Sequence, residues 1–365
     1  MRKSTLTAFI VLLLCVGSAW AQTARRKIII DQDTFGSGGP NNEAILLALQ
    51  APNVDVLGIT VESGDGWQDE NLAHVLRMLE LVKRTDVPVY RGSTYPLVNS
   101  MARTKRWEGL YGAIPYKGAW QETWPEYNSV DRTPYHGPTV VPPQAEGMPT
   151  LKPAEGSAAD FMIRMVHKYP GQVTIMGLGP LTNIALAARL DDEFTSLAEE
   201  LIFMGASFHP IPAHPDEFSA QEANTPSVNF NWRWDPEAAY ITLHSAWKKI
   251  VVMPSDGTVD TKLTPELLKQ ATASQSLSAQ YVGKYNMVNF PLWDEATVEV
   301  WLDPTIITKQ QRLAMDVDLS SGASYGASLS WAAGHGPGLG EPDVDVIFGL
   351  DNDKLNALFA QLIAK

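Results

Sequence analysis

The segment Ile30-Asp31-Gln32-Asp33-Thr34-Phe35-Gly36 sets two carboxylates two residues apart, directly after three consecutive isoleucines. Like charges this close repel, so the pair calls for a cation, a positive side chain or a shared proton. Calcium takes oxygen ligands from carboxylates, side-chain amides, backbone carbonyls and water, and Asn41 or Asn42 is near enough in sequence to supply an amide oxygen. The plainer account is a strand-ending turn whose acids cap neighbouring amides. A second acid, Asp294 in Pro291-Leu292-Trp293-Asp294-Glu295, precedes an apolar helical run ending near Trp301. A helix dipole alone would favour an acid there.

Two further segments carry polar chemistry. Gly177-Leu178-Gly179-Pro180-Leu181-Thr182-Asn183 joins a strand to a helix. Its glycines either let a backbone carbonyl approach a ligand or simply make a tight turn. Asn224, Asn229 and Asn231 flank the aromatic run that ends in Trp234-Asp235-Pro236. Amides for hydroxyls and rings for apolar faces suit a polyhydroxylated ligand, although Asp-Pro is also an ordinary helix start. The histidines show no short metal-binding spacing, and His335 reads as a turn residue. No GxSxG elbow, GxxxxGK[ST] loop or strand-linked GxGxxG occurs.

Alternating elements must position these residues. Strands are expected at 27–31, 54–61, 87–90, 173–176, 201–204, 250–253 and 344–348. Helices are expected from Asn41 or Asn42, over 69–83, 181–190 and 236–244, and over 354–363. This alternation predicts an α/β, Rossmann-like architecture, with a mostly parallel central sheet and helices on both faces. Ligands in such sheets bind outside the carboxyl ends of the strands, where Asp31 and Asp33 fall. Residues 94–155 are rich in Pro, Gly, Tyr and Trp and lack periodicity. They read equally as a surface excursion or as a substrate-covering insertion.

Composition narrows the functional classes. The 365 residues carry a net charge of −13, a poor balance for nucleic acid, which attracts basic patches. The single cysteine, Cys15, lies in a basic-then-apolar leader ending Ala19-Trp20-Ala21. Residues 1–21 therefore read as a secretory signal peptide, with 22–365 one domain that is periplasmic or secreted and free of the membrane after cleavage. A mature chain without cysteine has no disulfide, cysteine–zinc site or cysteine nucleophile.

Taken in order, these segments resemble the inosine–uridine-preferring nucleoside hydrolase family, from about residue 27 to 305 and more loosely to 363. Asp31 and Asp33 stand for the first two aspartates of its DxDxGxDD loop. Residues 173–187 resemble its GPLTN motif, residues 230–239 its FNxxxDPEAA stretch, and Trp293-Asp294 stands where His-Asp is usual. The resemblance implies hydrolysis of the N-glycosidic bond of ribonucleosides, giving ribose and free base, with one Ca²⁺. By position its ligands would be Asp33, Asn41, the backbone carbonyl of Leu178 and Asp294. Asp33 would also be the general base. Substrate contacts would come from Asp65, Asn224, Asn229, Asn231 and Trp293.

Several family residues are replaced. Asn41 and Asn42 stand where paired aspartates are usual, Trp293 replaces a histidine, Asn229 a glutamate, and Asp65 an asparagine. Whether Glu43 or a residue of 94–155 restores the missing charge is left open by the sequence. The substrate is expected to be a small ribonucleoside-like molecule, and a homo-oligomer is compatible with the sequence. The alternatives are a non-catalytic nucleoside- or sugar-binding protein on the same scaffold, or a hydrolase of another glycoside.

Overall fold

The computed structural model describes residues 25–123, 134–209 and 228–365. The expected signal peptide with Cys15, and Asn224, lie outside the described residues. Among the described residues no helix is long and apolar enough to cross a membrane.

Strand β1 (Arg26–Gln32) shows how the sequence makes the layers. Its three isoleucines are all fully buried. Ile28 and Ile30 join one core cluster and Ile29 the other, because successive side chains of a strand point to opposite faces. A run this apolar needs cover on both sides. On the first face lie α1 (Pro40–Gln50), α2 (Gln68–Leu81), α8 (Trp293–Leu302) and α9 (Asn352–Ile363). On the second lie α4 (Ala158–Lys168), α5 (Thr182–Leu190) and α7 (Pro236–Leu243).

The remaining strands are β2 (Val54–Val61), β3 (Val89–Arg91), β4 (Val173–Gly177), β5 (Glu200–Met204), β6 (Ile250–Met253), β7 (Ile307–Val317), β8 (Ser328–Ala332) and β9 (Asp343–Leu350). Together they form one sheet in the order β3-β2-β1-β4-β5-β6-β9-β7-β8. The first seven in that order run parallel, and β7 pairs antiparallel with both β9 and β8. The chain leaves β1 toward β3 and returns to build β4 on its other side. The strand order thus reverses between β1 and β4, where Asp31 lies opposite Gly177. Such a switch point opens a crevice at the carboxyl ends of the strands.

Helix α1 begins earlier than its asparagines suggest. Gly39 is the N-cap and Pro40 the first helical residue, a position where the missing proline N–H costs nothing. Asn41 and Asn42 are thereby freed from capping and buried. Segment 94–155 contains α3 (Met101–Tyr111) and a short 3₁₀ turn at Gly118–Trp120. Trp120 stacks on Trp234 at 3.9 Å, and the pair packs with Trp67 into a third cluster.

Candidate active site

Two glycines allow other loops to close on the chain just after β1. A Cβ on Gly179, after β4, would lie 3.2 Å from Asp33 Cβ and Cγ. One on Gly64, after β2, would overlap Asp33 Oδ2. A side chain at Gly64 would force Asp33 to move, and one at Gly179 would crowd it. Asp33 is thus fixed between two backbones at the switch point, and it is 1% exposed.

Around Asp33 the acids converge. The backbone N–H of Asp65 donates to Asp33 Oδ2 at 2.9 Å. Asn41 Nδ2 lies 3.3 Å from Asp33 Oδ1, 3.2 Å from Asp294 Oδ2, 3.5 Å from Asp65 Oδ2 and 3.0 Å from Gln32 Oε1. An amide nitrogen has two hydrogens, so it cannot satisfy four acceptors. The amide is oriented by its other end, because Asn41 Oδ1 accepts from Phe35 N–H at 3.3 Å. Asn41 therefore presents N–H, not oxygen, to the acids. Gln32 Nε2 adds a 2.9 Å bond to Asp294 Oδ2.

This crowding shows in the acidities. Burial pushes the Asp33 carboxyl well above the usual range, and the charges of Asp65 and Asp294 push it further. Asp294 is raised to about 8, chiefly by burial, with hydrogen bonds from Gln32 and Asn41 offsetting part. A buried group of carboxylates is comfortable only when protonated or when a cation neutralises it.

Asp33, Asn41, Asp65, Leu178, Asn229, Asn231, Trp293 and Asp294 all line one pocket of about 710 Å³, its open mouth included. Asn231 Nδ2 donates to the carbonyls of Leu178 at 3.2 Å and Met204 at 3.1 Å. Asn229 is engaged at both ends: Oδ1 accepts from Asn231 N–H at 2.9 Å and caps α6 (Phe230–Trp234), while Nδ2 donates to Ser255 Oγ at 2.8 Å. Phe35, Phe230, Met287 and Phe290 supply apolar wall.

Asp31 stands apart from the pocket. Thr60 Oγ1 donates to its Oδ1 at 2.5 Å and Asn183 Nδ2 at 2.8 Å. Burial raises it to about 7, beside the equally buried Glu62. The asparagine of the GPLTN segment, on α5, thus ties that helix to β1, and its backbone N–H donates to Glu62 just after β2. Glu43 faces Glu295, another buried acid, and does not line the pocket, so it does not make up for Asn41 there. Among the described residues the one group of three His, Cys, Asp or Glu side chains whose ligand atoms all lie within 4.8 Å of one another is His167, Asp191 and Glu193, whereas the carboxylates of Asp33, Asp65 and Asp294 are spaced around the Asn41 amide nitrogen. None of His167, Asp191 and Glu193 lines the pocket.

Sequence reasoning missed Gln32 and Tyr116. Gln32 sits between the two aspartates, and the alternation of a strand was the available signal. Tyr116 OH donates to Asp65 Oδ1 at 2.7 Å and its ring meets Phe230 edge-on at 4.8 Å. It comes from the aperiodic segment 94–155, where no local pattern marks one tyrosine over another.

An α/β scaffold with acids, amides and aromatic rings gathered in a pocket at its switch point has the form of a small-molecule enzyme. Comparison with known proteins gives the particular family. The family model described as inosine-uridine preferring nucleoside hydrolase matches residues 28–357. Uridine nucleosidase 1 of Arabidopsis thaliana is 32% identical over 240 residues, 66% of this chain and 59% of that protein. The pyrimidine-specific ribonucleoside hydrolase of Escherichia coli strain SE11 is 26% identical, over 84% of this chain and 87% of that one. A solved plant nucleoside hydrolase superposes with a TM-score of 0.68 at 23% identity, covering 93% of this chain and 99% of its own. The chain belongs to the inosine–uridine preferring nucleoside hydrolase family, whose members are N-glycosidases.

Proposed function

We propose that the protein hydrolyses the N-glycosidic bond of ribonucleosides, with Asp33 as the general base and a Ca²⁺ held beside it. The carrying observation is the acid cluster: a base must be ionised, and burial with the charges of Asp65 and Asp294 pushes Asp33 toward its protonated form, which a cation would oppose. The donor set suits a hard cation, because carboxylates of Asp33, Asp65 and Asp294 and the carbonyl of Leu178 are all oxygen and line one pocket. Asp65 enters this set from an asparagine position, and Asn41 leaves it. The carboxylate absent at 41 is in effect supplied from the loop after β2.

When bound, the cation would favour the ionised acids and polarise oxygen ligands. Asp33 then removes a proton from water, whose oxygen bonds to the anomeric carbon. The carbon–nitrogen bond breaks, and its electron pair leaves with the base, which takes up a proton from solvent while Asp33 returns the water's proton to solvent. The sugar carbon gains oxocarbenium character on the way, as in other glycosyl transfers. Asn231 Oδ1 is left to accept from a sugar hydroxyl, since its nitrogen is spent on two carbonyls. Trp293, at the start of α8 in the pocket wall, offers a ring for the base.

The test is base release from a panel of purine and pyrimidine ribonucleosides, with calcium and with chelator. Release that chelator abolishes supports the reading, and the best substrate names the base preference. No release from any nucleoside by calcium-loaded protein would overturn it in favour of a binding protein or another glycoside.

A further inference from the structure

A second cavity, of about 650 Å³ with its mouth, opens beside the active site and is lined by Arg103, Arg106, Trp107, Tyr111, Arg233 and Tyr325 among others. It lies between α3, α6 and the turn that precedes β8. Three guanidinium groups on one cavity are out of character for a chain of net charge −13.

Arg233 is the telling residue. It is 8% exposed, and its Nε–H has no hydrogen-bond acceptor. Its guanidinium lies 4.3 Å from the centre of the Trp107 ring. A ring face attracts the charge but offers no lone pair to that N–H. Burial lowers the group only to about 10, so it keeps its charge at neutral pH.

The acids nearby are already engaged. Glu108 accepts from Lys117 Nζ at 2.9 Å and from Ile114 N–H at 2.9 Å. Glu237 accepts from Tyr325 OH at 2.8 Å. Among the described residues Arg103, Arg106 and Arg233 form no ion pair with a carboxylate, and Glu108, paired with Lys117, acts on Arg233 through its charge. A buried N–H without an acceptor is costly, and guanidinium groups match oxyanions with paired N–H donors.

We propose that this cavity binds an oxyanion of the phosphate class, as free phosphate or as the phosphoryl group of a monoester. Arg233 forms the floor, and the exposed Arg103 and Arg106 form the rim. Trp107 and Tyr111 supply faces on which an organic ester group would pack. Arg233 follows Asn231 by two residues on the same short helix, so an occupant here would bear on the segment that frames the active site.

The experiment is isothermal titration of the full chain with inorganic phosphate and, separately, phenyl phosphate at low ionic strength. The same titrations are run on the rim variant R103Q/R106Q and on R233M. The expected result is saturable binding that weakens at least tenfold in the rim variant, whose exposed positions should leave folding intact, and in R233M. Tighter binding of phenyl phosphate identifies the ester as the source, and equal binding identifies free phosphate. No saturable binding of either probe by the unaltered protein, or equal affinity in all three proteins, overturns the proposal.

Discussion

Asn41 and Asp294, 253 positions apart in the chain, meet through a 3.2 Å hydrogen bond from Nδ2 to Oδ2. The bond lets an uncharged residue stand among three carboxylates by donating to them. It also means that position 41 sets how strongly the cluster demands a cation. Asn41→Asp should therefore tighten calcium binding, by tenfold or more, since ligand charge tunes such sites. Without metal the same change adds a fourth acid and removes a donor, and should lower Tm by a few degrees. Calcium titration and melting in chelator check the two halves. Tighter binding without metal-free destabilisation would mean that Asn41 is not placed among the acids.

Asp33 is the base in this scheme, and its replacement should separate chemistry from folding. Asp33→Ala should reduce turnover about 10²- to 10⁴-fold, the range general-base catalysis supplies. Circular dichroism should be unchanged. Near-normal release of base by this variant would remove Asp33 from the mechanism. Asp294→Ala should weaken calcium binding, and an unchanged titration would refute its part in holding the ion.

Tyr116 lines the pocket and donates from its hydroxyl to Asp65. Tyr116→Phe deletes the hydroxyl and keeps the ring against Phe230. A hydrogen bond to a charged group contributes about 1.5–3 kcal/mol, so Asp65 should become less fixed and calcium affinity should fall roughly tenfold. The readout is the calcium dependence of the rate. If calcium affinity is unaltered while KM rises, Asp65 serves the sugar and not the ion.

The parallel half of the sheet was legible because buried strands must be apolar on both sides. Ile28-Ile29-Ile30, Val54–Val61 and Ile250–Met253 lie where expected. The antiparallel edge was not. In β7, Thr308 to Arg312 are exposed, and β8 is half exposed, so neither shows a buried-strand pattern. Helix α3 buries Thr104 alone, which leaves no amphipathic stripe to read. At the site, the residue types were readable but their directions were not. That Asn41 turns its nitrogen to the acids depends on Phe35 N–H holding its oxygen, a tertiary detail. That Asp65 can share the cluster depends on Gly64 and Gly179 clearing space around Asp33.

Glu299, on α8, offers a test of burial that is independent of catalysis. It is fully buried, and neither carboxyl oxygen has a full hydrogen-bond partner. Burial raises its pKa well above the usual value, offset only in part by the backbone N–H of Phe359. The folded state therefore holds the proton at pH values where the unfolded chain has lost it. Stability falls as pH rises from the unfolded value of about 4.3 toward the folded one, and the penalty persists above that. Glu299→Gln removes the titration while keeping the shape. It should raise Tm at pH 8 by about 2 °C or more and change it far less at pH 5. Melting curves of both proteins at the two pH values, with calcium constant, decide the matter. An equal shift at both would show that the carboxyl is not protonated in the fold.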